Sequence, residues 1–226
     1  MKATFVLLTF FISNVLLAQD IFKGTIVYST QASGEPEAAK MFNEYQAREI
    51  RSSWSNEGFE QSEETGMNAG RVFWKYGDKT ATYIQKSNGE ILEAAVQSMS
   101  DMDESVKAFM PQFFEYELED LGEDVTIAGY RTQKYLITKS GFVKSNAKAF
   151  VWIASDLQLK PTQLKFETEW KVILSAMPLQ FGFTEGAVLK AEISEPSMFG
   201  EGDVKVVYEV KEVNAGVLPE GFMQKP

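Results

Sequence analysis

Between residues 22 and 213 the chain is broken, roughly every ten positions, by Gly, Asn, Asp or Pro into short runs of β-branched and aromatic residues, and this punctuation restricts the fold more than any other feature. Residues 22–30 (FKGTIVYST) form the first run, closed by Ser-Gly-Glu-Pro at 33–36. Runs at 71–76, 80–85 and 90–97 follow, separated by Gly77-Asp78 and Asn88-Gly89. Asn-Gly accepts the positive φ angles of a type I′ turn, so these three predict an antiparallel meander. Residues 113–119, 125–127, 130–138 and 147–153 give a second group, and 187–193 and 204–213 a third. Roughly nine to eleven short strands result, the spacing of a sandwich or barrel.

Other stretches are less decisive. Ala38, Met41, Phe42 and Tyr45 fall at helical spacing, yet residues 50–54 read equally as extended. Residues 55–70, polar and Gly-bearing, predict a long solvated loop. Acids at the start of residues 101–110 and Pro111 after them predict a short helix. Residues 156–166 are turn-rich, and Trp170, Ile173 and Leu174 fit a helix or a strand. No repeat or linker divides the chain.

The amino terminus adds a targeting expectation. Lys2 precedes an apolar run over residues 3–17, which ends at the small residue Ala18 before Gln19-Asp20. Such a run is short for a bilayer span and reads as a signal peptide cleaved after Ala18. Residues 1–18 are thus expected to be removed, leaving residues 19–226 as a single β-rich domain outside the cytoplasm, in the periplasm, on the outer membrane or in the medium. No further transmembrane segment is expected after cleavage.

The chain contains neither Cys nor His. Zinc and copper sites, imidazole-assisted nucleophiles and disulfides are therefore excluded, and stability rests on packing and on the sheet ladder. The net charge of −10 disfavours nucleic acid as a partner. Phosphate loops and dinucleotide fingerprints are absent, and no cofactor is expected.

Two kinds of site remain to be weighed. Asp101, Asp103 and Glu104, or Glu115, Glu117 and Glu119, supply paired carboxylates of the sort glycoside cleavage uses. Alternation instead puts the second set on the wet face of a strand, and the first set decorates a helix start. Neither 101–104 nor the loop 200–203 has the ligand spacing of a calcium loop. Aromatic residues make up 13% of the chain, enough to line a curved sheet that encloses more apolar wall than its own side chains fill. Trp74, Tyr83, Tyr135, Trp152 and Phe181 are the candidate ligand-binding residues of such a wall. Plain core packing is the competing assignment for each.

Residues 127–136 (IAGYRTQKYL), followed by Val151-Trp152-Ile153-Ala154, resemble the central part of the GLPGLI family of exported bacterial proteins. Residues 177–189 (MPLQFGFTEGAVL) sit where that family carries its Gly-Pro, Phe and Gly-Leu-Pro-Gly-Leu-Ile-Leu pattern. Met177 stands for the family's Gly, Thr184-Glu185 for its Pro, and Thr132 where relatives often have Cys. The opening strand at 24–28 and the ending Val217-Leu-Pro-Glu-Gly-Phe222 are similar to related exported families. The resemblance implies an antiparallel β-rich domain and carries no catalytic residue. The layout also resembles the lipoprotein-carrier, LolA-like half-barrel, whose curved sheet cups acyl chains beneath short helices.

The expectation is therefore a mainly β chain: a curved antiparallel sheet or half-open barrel with a few short helices. Its expected role is non-enzymatic, binding a hydrophobic small molecule or lipid or assisting cell-envelope traffic. One alternative is a structural or interaction protein with a filled core that engages another envelope protein. A carboxylate-based hydrolase is the third.

Overall fold

The computed structural model of the chain describes residues 21–45, 47–66, 69–97, 116–140, 147–159, 165–166, 186–197 and 200–225. The predicted helix at 101–110, the ambiguous stretch around Trp170, and Phe181 lie outside them. Twelve strands form one antiparallel sheet in the order β10-β6-β5-β4-β3-β2-β1-β12-β11-β9-β8-β7. They are β1 (Gly24–Gly34), β2 (Glu49–Trp54), β3 (Gly58–Glu63), β4 (Gly70–Lys75), β5 (Thr80–Gln85), β6 (Ile91–Gln97), β7 (Tyr116–Ile127), β8 (Tyr130–Ser140), β9 (Lys148–Ala154), β10 (Lys165–Phe166), β11 (Ala187–Pro196) and β12 (Asp203–Ala215). The sheet is curved and not closed, a half-open barrel with one described helix, α1 (Pro36–Tyr45). Among the described residues no helix is long and apolar enough to cross a membrane.

Local chemistry sets the elements. Pro36 opens α1, where its missing N–H costs no hydrogen bond. Glu35 caps it, accepting the amides of Ala38 (2.7 Å) and Glu37 (3.2 Å). The stretch that sequence left open is thus both things in turn, a helix to Tyr45 and a strand from Glu49. β2 pairs with β1 only as far as Ser29. Beyond that point the bare edge of β1 is met by other groups: Arg48 C=O accepts the Thr30 amide (3.1 Å), and Asn43 of α1 both accepts the Ala32 amide (2.9 Å) and donates to its carbonyl (3.0 Å). Asn43 does the work of a missing strand there.

Two features differ from the sequence expectation. Residues 58–63 are a strand, β3, held between β2 and β4, with Phe59, Glu60, Gln61 and Glu63 buried. Sheet pairing on both sides overrides the polarity of this stretch. The type I′ hairpin lies at Ala128-Gly129, not at Asn88-Gly89. Ile127 pairs with Tyr130, and both intervening residues have positive φ (49° and 86°). At the other turn only Gly89 does (68°), and the Gln85 amide reaches the Glu90 carbonyl (3.0 Å) around a longer loop.

Pairing register sorts side chains onto two faces, because residues directly opposite in antiparallel strands share a side. One face carries Tyr28, Ile50, Phe59, Val151, Ile153, Ala191 and Tyr208, and α1 packs on it through Ala38, Ala39 and Phe42. This face is concave. The Tyr28 hydroxyl on β1 reaches past β12 to donate to the Val188 carbonyl of β11 (3.3 Å). Glu63 on β3 affects Tyr208 on β12, with β2 and β1 between them. On a flat sheet with strands about 4.8 Å apart, neither pair would meet.

Candidate ligand-binding face

The concave face changes character across the sheet. At the seam where β1 meets β12 and β2, it is filled: Ile26, Tyr28, Ile50, Trp54, Val188 and Leu189 are each under 2% exposed. Trp54 packs between Phe22, edge to face (6.1 Å between centroids), and Phe59, tilted by 49° (5.4 Å). Toward β4, β5 and β6 the same face carries Val72, Trp74, Tyr83 and Leu92, all half-buried. The Tyr83 ring lies over Gly70, where a Cβ would come within 2.8 Å of it. Glycine at this position lets the aromatic ring lie flat against the sheet.

Between the filled and half-buried regions sits a buried polar group. Gln61 donates to Glu63 (3.0 Å), and Tyr208 stands near enough that burial and then the Glu63 charge push its hydroxyl pKa up to about 12. Burial alone also raises Tyr28. Neither phenol ionises at ordinary pH, and the Tyr28 hydroxyl serves as a neutral donor.

Three of the five aromatic candidates share the concave face. Trp74 pairs with Phe59, Tyr83 with Val72 and Tyr135 with Val151. Trp74 and Tyr83 are neighbours on adjacent strands, whereas Tyr135 lies on β8, at the other end of the sheet. There it borders a cleft of about 300 Å³ with Arg131, Gln133 and Asp124, and donates to Gln133 (3.0 Å). Trp152 is on the opposite, outer face, opposite Lys134 on one side and Lys190 on the other. Both ammonium groups sit over its ring, at 5.4 and 5.1 Å from the centroid, leaving it 8% exposed. Its partners make it a structural element of the outer surface rather than part of a concave wall.

That outer surface is an ion-pair lattice. Lys190 contacts Glu192 (3.2 Å) and Glu209 (3.4 Å), and Lys205 contacts Glu192 (2.6 Å). Burial works against the charged forms, but the opposite charges outweigh it, so Lys190 titrates above and Glu192 below its ordinary value. Glu117 and Glu119 are exposed along β7, and Asp101, Asp103, Glu104 and Glu115 lie outside the described residues. Among the described residues no set of three acids gathers as a metal site.

On the outer face of β1–β6, residues 216–225 run as a strap; sequence marked 217–222 as an ending similar to related exported families and gave it no role in a site. Thr25 donates to the Val217 carbonyl (2.9 Å), and Arg71 donates to the carbonyls of Gly221 (3.4 Å) and Gln224. The Met223 amide donates to the Glu60 carboxylate (2.5 Å), which Arg71 approaches at 3.7 Å. Lys225 pairs with Glu93. The Met223 side chain fills the notch above Gly58, where a Cβ would come within 2.7 Å of its sulfur. Beneath the strap lies a cleft of about 410 Å³, with Phe73 and Thr82 among the residues lining it and Glu93 and Lys225 at its rim.

No family model and no curated protein matches the chain. Solved structures similar to it include PNGF-II (TM-score 0.41, 14% identity), covering 87% of this chain and 28% of that one. A LolA superfamily protein from Nitrosomonas europaea (TM-score 0.29, 13% identity) covers 92% of this chain and 91% of its own. The Pseudomonas aeruginosa MucA/MucB complex (TM-score 0.39, 13% identity) covers 91% and 55%. The chain therefore spans less than two thirds of the first and third of these.

Proposed function

We propose that residues 1–18 direct export and are removed, and that the remaining domain is a non-enzymatic carrier or sensor of a hydrophobic or lipid-like ligand in the cell envelope. The observation that carries this reading is the half-buried row Val72, Trp74, Tyr83 and Leu92 on the concave face of a sheet that does not close. An apolar wall left partly accessible inside a curved sheet is what an acyl or polycyclic ligand occupies.

A second reading is favoured by the seam, where the concave face is filled by the chain's own side chains. It makes the domain an interaction protein with no ligand. Native mass spectrometry of the protein taken from its own envelope fraction separates the two. The carrier reading expects a co-purifying mass and, in solution, quenching of a fatty-acid dye that Trp74→Ala and Tyr83→Ala weaken. A bare polypeptide mass together with no dye binding would reject it and leave the interaction reading.

A further inference from the structure

The strap adds no strand to the sheet; beside the Gly216 amide on the Lys23 carbonyl (2.8 Å) and the Lys225–Glu93 ion pair, its anchors are side chains that capture backbone groups. Arg71 takes two strap carbonyls and Glu60 takes the Met223 amide. Met223 itself adopts a left-handed backbone (φ 57°), a conformation that is unfavourable for this residue unless contacts hold it. Glu60 is only 3% exposed, in the middle of β3, opposite Ser53 and Phe73. Met223, Gln224 and Lys225 also form one wall of the cleft above Phe73 and Thr82, so that cleft exists only while the strap is down.

We propose that residues 216–225 form a reversible latch on the outer face of β1–β6, and that protonation of the Glu60 carboxyl tightens it. The groups turned to this face are Arg51 on β2, Arg71 and Lys75 on β4, Glu93 on β6, Asp78 in the β4–β5 turn and Lys225 on the strap. Arg51 pairs with Glu49 and Lys225 with Glu93, and of the charges on this face Arg71 is the one within ion-pair distance of Glu60 among the described residues. One guanidinium at 3.7 Å and one amide do not replace the water that the strap removes from this carboxylate. Burial accordingly raises the Glu60 pKa, opposed first by the Met223 amide and then by Arg71.

The sign follows from linkage. With the strap lifted, Glu60 faces solvent and titrates nearer its ordinary 4.5; with the strap down it holds its proton to higher pH. The closed state therefore gains on the open one as pH falls through the raised value, and above that value the balance is flat and least favourable to closure. Each unit of difference between the two pKa values changes the closed-to-open ratio about tenfold.

Amide hydrogen exchange on the full-length chain reads this directly. The protection factor of the Met223 amide, which removes the intrinsic pH dependence of exchange, is expected to be severalfold higher at about pH 5 than at about pH 8, while that of Ile26 in the sheet core stays constant over the same range. Glu60→Gln, neutral at every pH, should hold Met223 protected at both values. Met223→Ala should lose strap protection, now read at the Gln224 amide, and leave Ile26 unchanged. A Met223 protection factor that does not vary with pH overturns the proposal, as does a pH dependence that survives in Glu60→Gln. If Ile26 falls with the strap in Met223→Ala, the strap is part of the core and not a latch.

Discussion

Replacing Ala128 tests whether the hairpin between β7 and β8 has the geometry described. Ala128 is an exposed alanine at φ 49°, followed by Gly129 at φ 86°, in a two-residue loop. A left-handed conformation costs an ordinary L-residue about 1–2 kcal/mol, and Asn, several-fold enriched there, recovers about 0.5–1 kcal/mol of it. Asn-Gly is also the favoured pair for a type I′ turn. Ala128→Asn should therefore stabilise the domain by about 0.5–1 kcal/mol, which for a chain of this length raises Tm by about 1–4 °C. Ala128→Val puts a β-branched side chain in the same conformation and should cost about 1–2 kcal/mol more than alanine. Urea unfolding followed by tryptophan fluorescence measures both, with a shift in midpoint at constant slope. At the other turn Asn88 has no positive φ and acts through its side chain, which accepts the Glu90 amide (2.9 Å), so Asn88→Ala should cost about 0.5–1.5 kcal/mol through that one bond and relieve no backbone strain. Equal midpoints for Ala128→Asn and Ala128→Val, or a destabilised Ala128→Asn, would show that the turn is not left-handed at residue 128.

Asn43→Ala removes both hydrogen bonds that close the edge of β1 at Ala32, and should destabilise by about 1–2 kcal/mol with faster exchange of the Ala32 amide. Trp152→Ala leaves a hole under Lys134 and Lys190 and should cost about 3–5 kcal/mol in chemical denaturation; a ligand-wall role on the concave side predicts instead a binding defect in a stable protein. The Ala38 amide, opposed by burial and helped by the Glu37 amide and the Ser197 hydroxyl, brings the Glu35 pKa below 4.5, so its cap is complete above that value and weakens as pH falls through the lowered one. The protection factor of the Ala38 amide should fall over that acid range in the native chain, and an unchanged factor would contradict the capping role.

The sequence made most strand positions legible because pairing and turn chemistry are local: 71–76, 80–85, 90–97, 130–138, 147–153 and 204–213 all fall within or against strands of the sheet. β3 was hidden because its signal is not local. Only Phe59 in Gly58–Glu63 is large and apolar. Glu60 is buried by the strap and Gln61 and Glu63 by the concave side, covers that come from residues far away in sequence. The aromatic candidates fared similarly. In β9 both alternating sets are apolar, Ala149, Val151 and Ile153 against Phe150 and Trp152, so alternation alone does not say which side is inside. Lys134 and Lys190 decide it, and they enter only through register with β8 and β11. The strap reads in sequence as a Gly- and Pro-bearing tail; its anchors Glu60 and Arg71 carry no mark of their partners.

The order of strands limits where this half-barrel can accommodate anything. β1 and β12, close to the two ends of the described chain, are neighbours in the middle of the sheet, and β2 to β6 lie on one side while β7, β8, β9 and β11 lie on the other. The β1·β12 ladder joins the two wings along eleven paired positions, and β10, from the connection between β9 and β11, pairs with β6 at the far edge. The residues most completely removed from water lie at or beside that ladder, and α1 sits over it. Parting the wings there would expose Ile26, Tyr28, Val188 and Leu189 together, and fully buried side chains of this size each contribute about 1.5–3 kcal/mol. A ligand of the kind proposed would not enter by opening the seam. It would find room on a wing, where bending a peripheral strand uncovers little: on the concave side Val72, Trp74, Tyr83 and Leu92 are partly accessible in the wing of β4 to β6, and Tyr135 and Ile137 in the wing of β8.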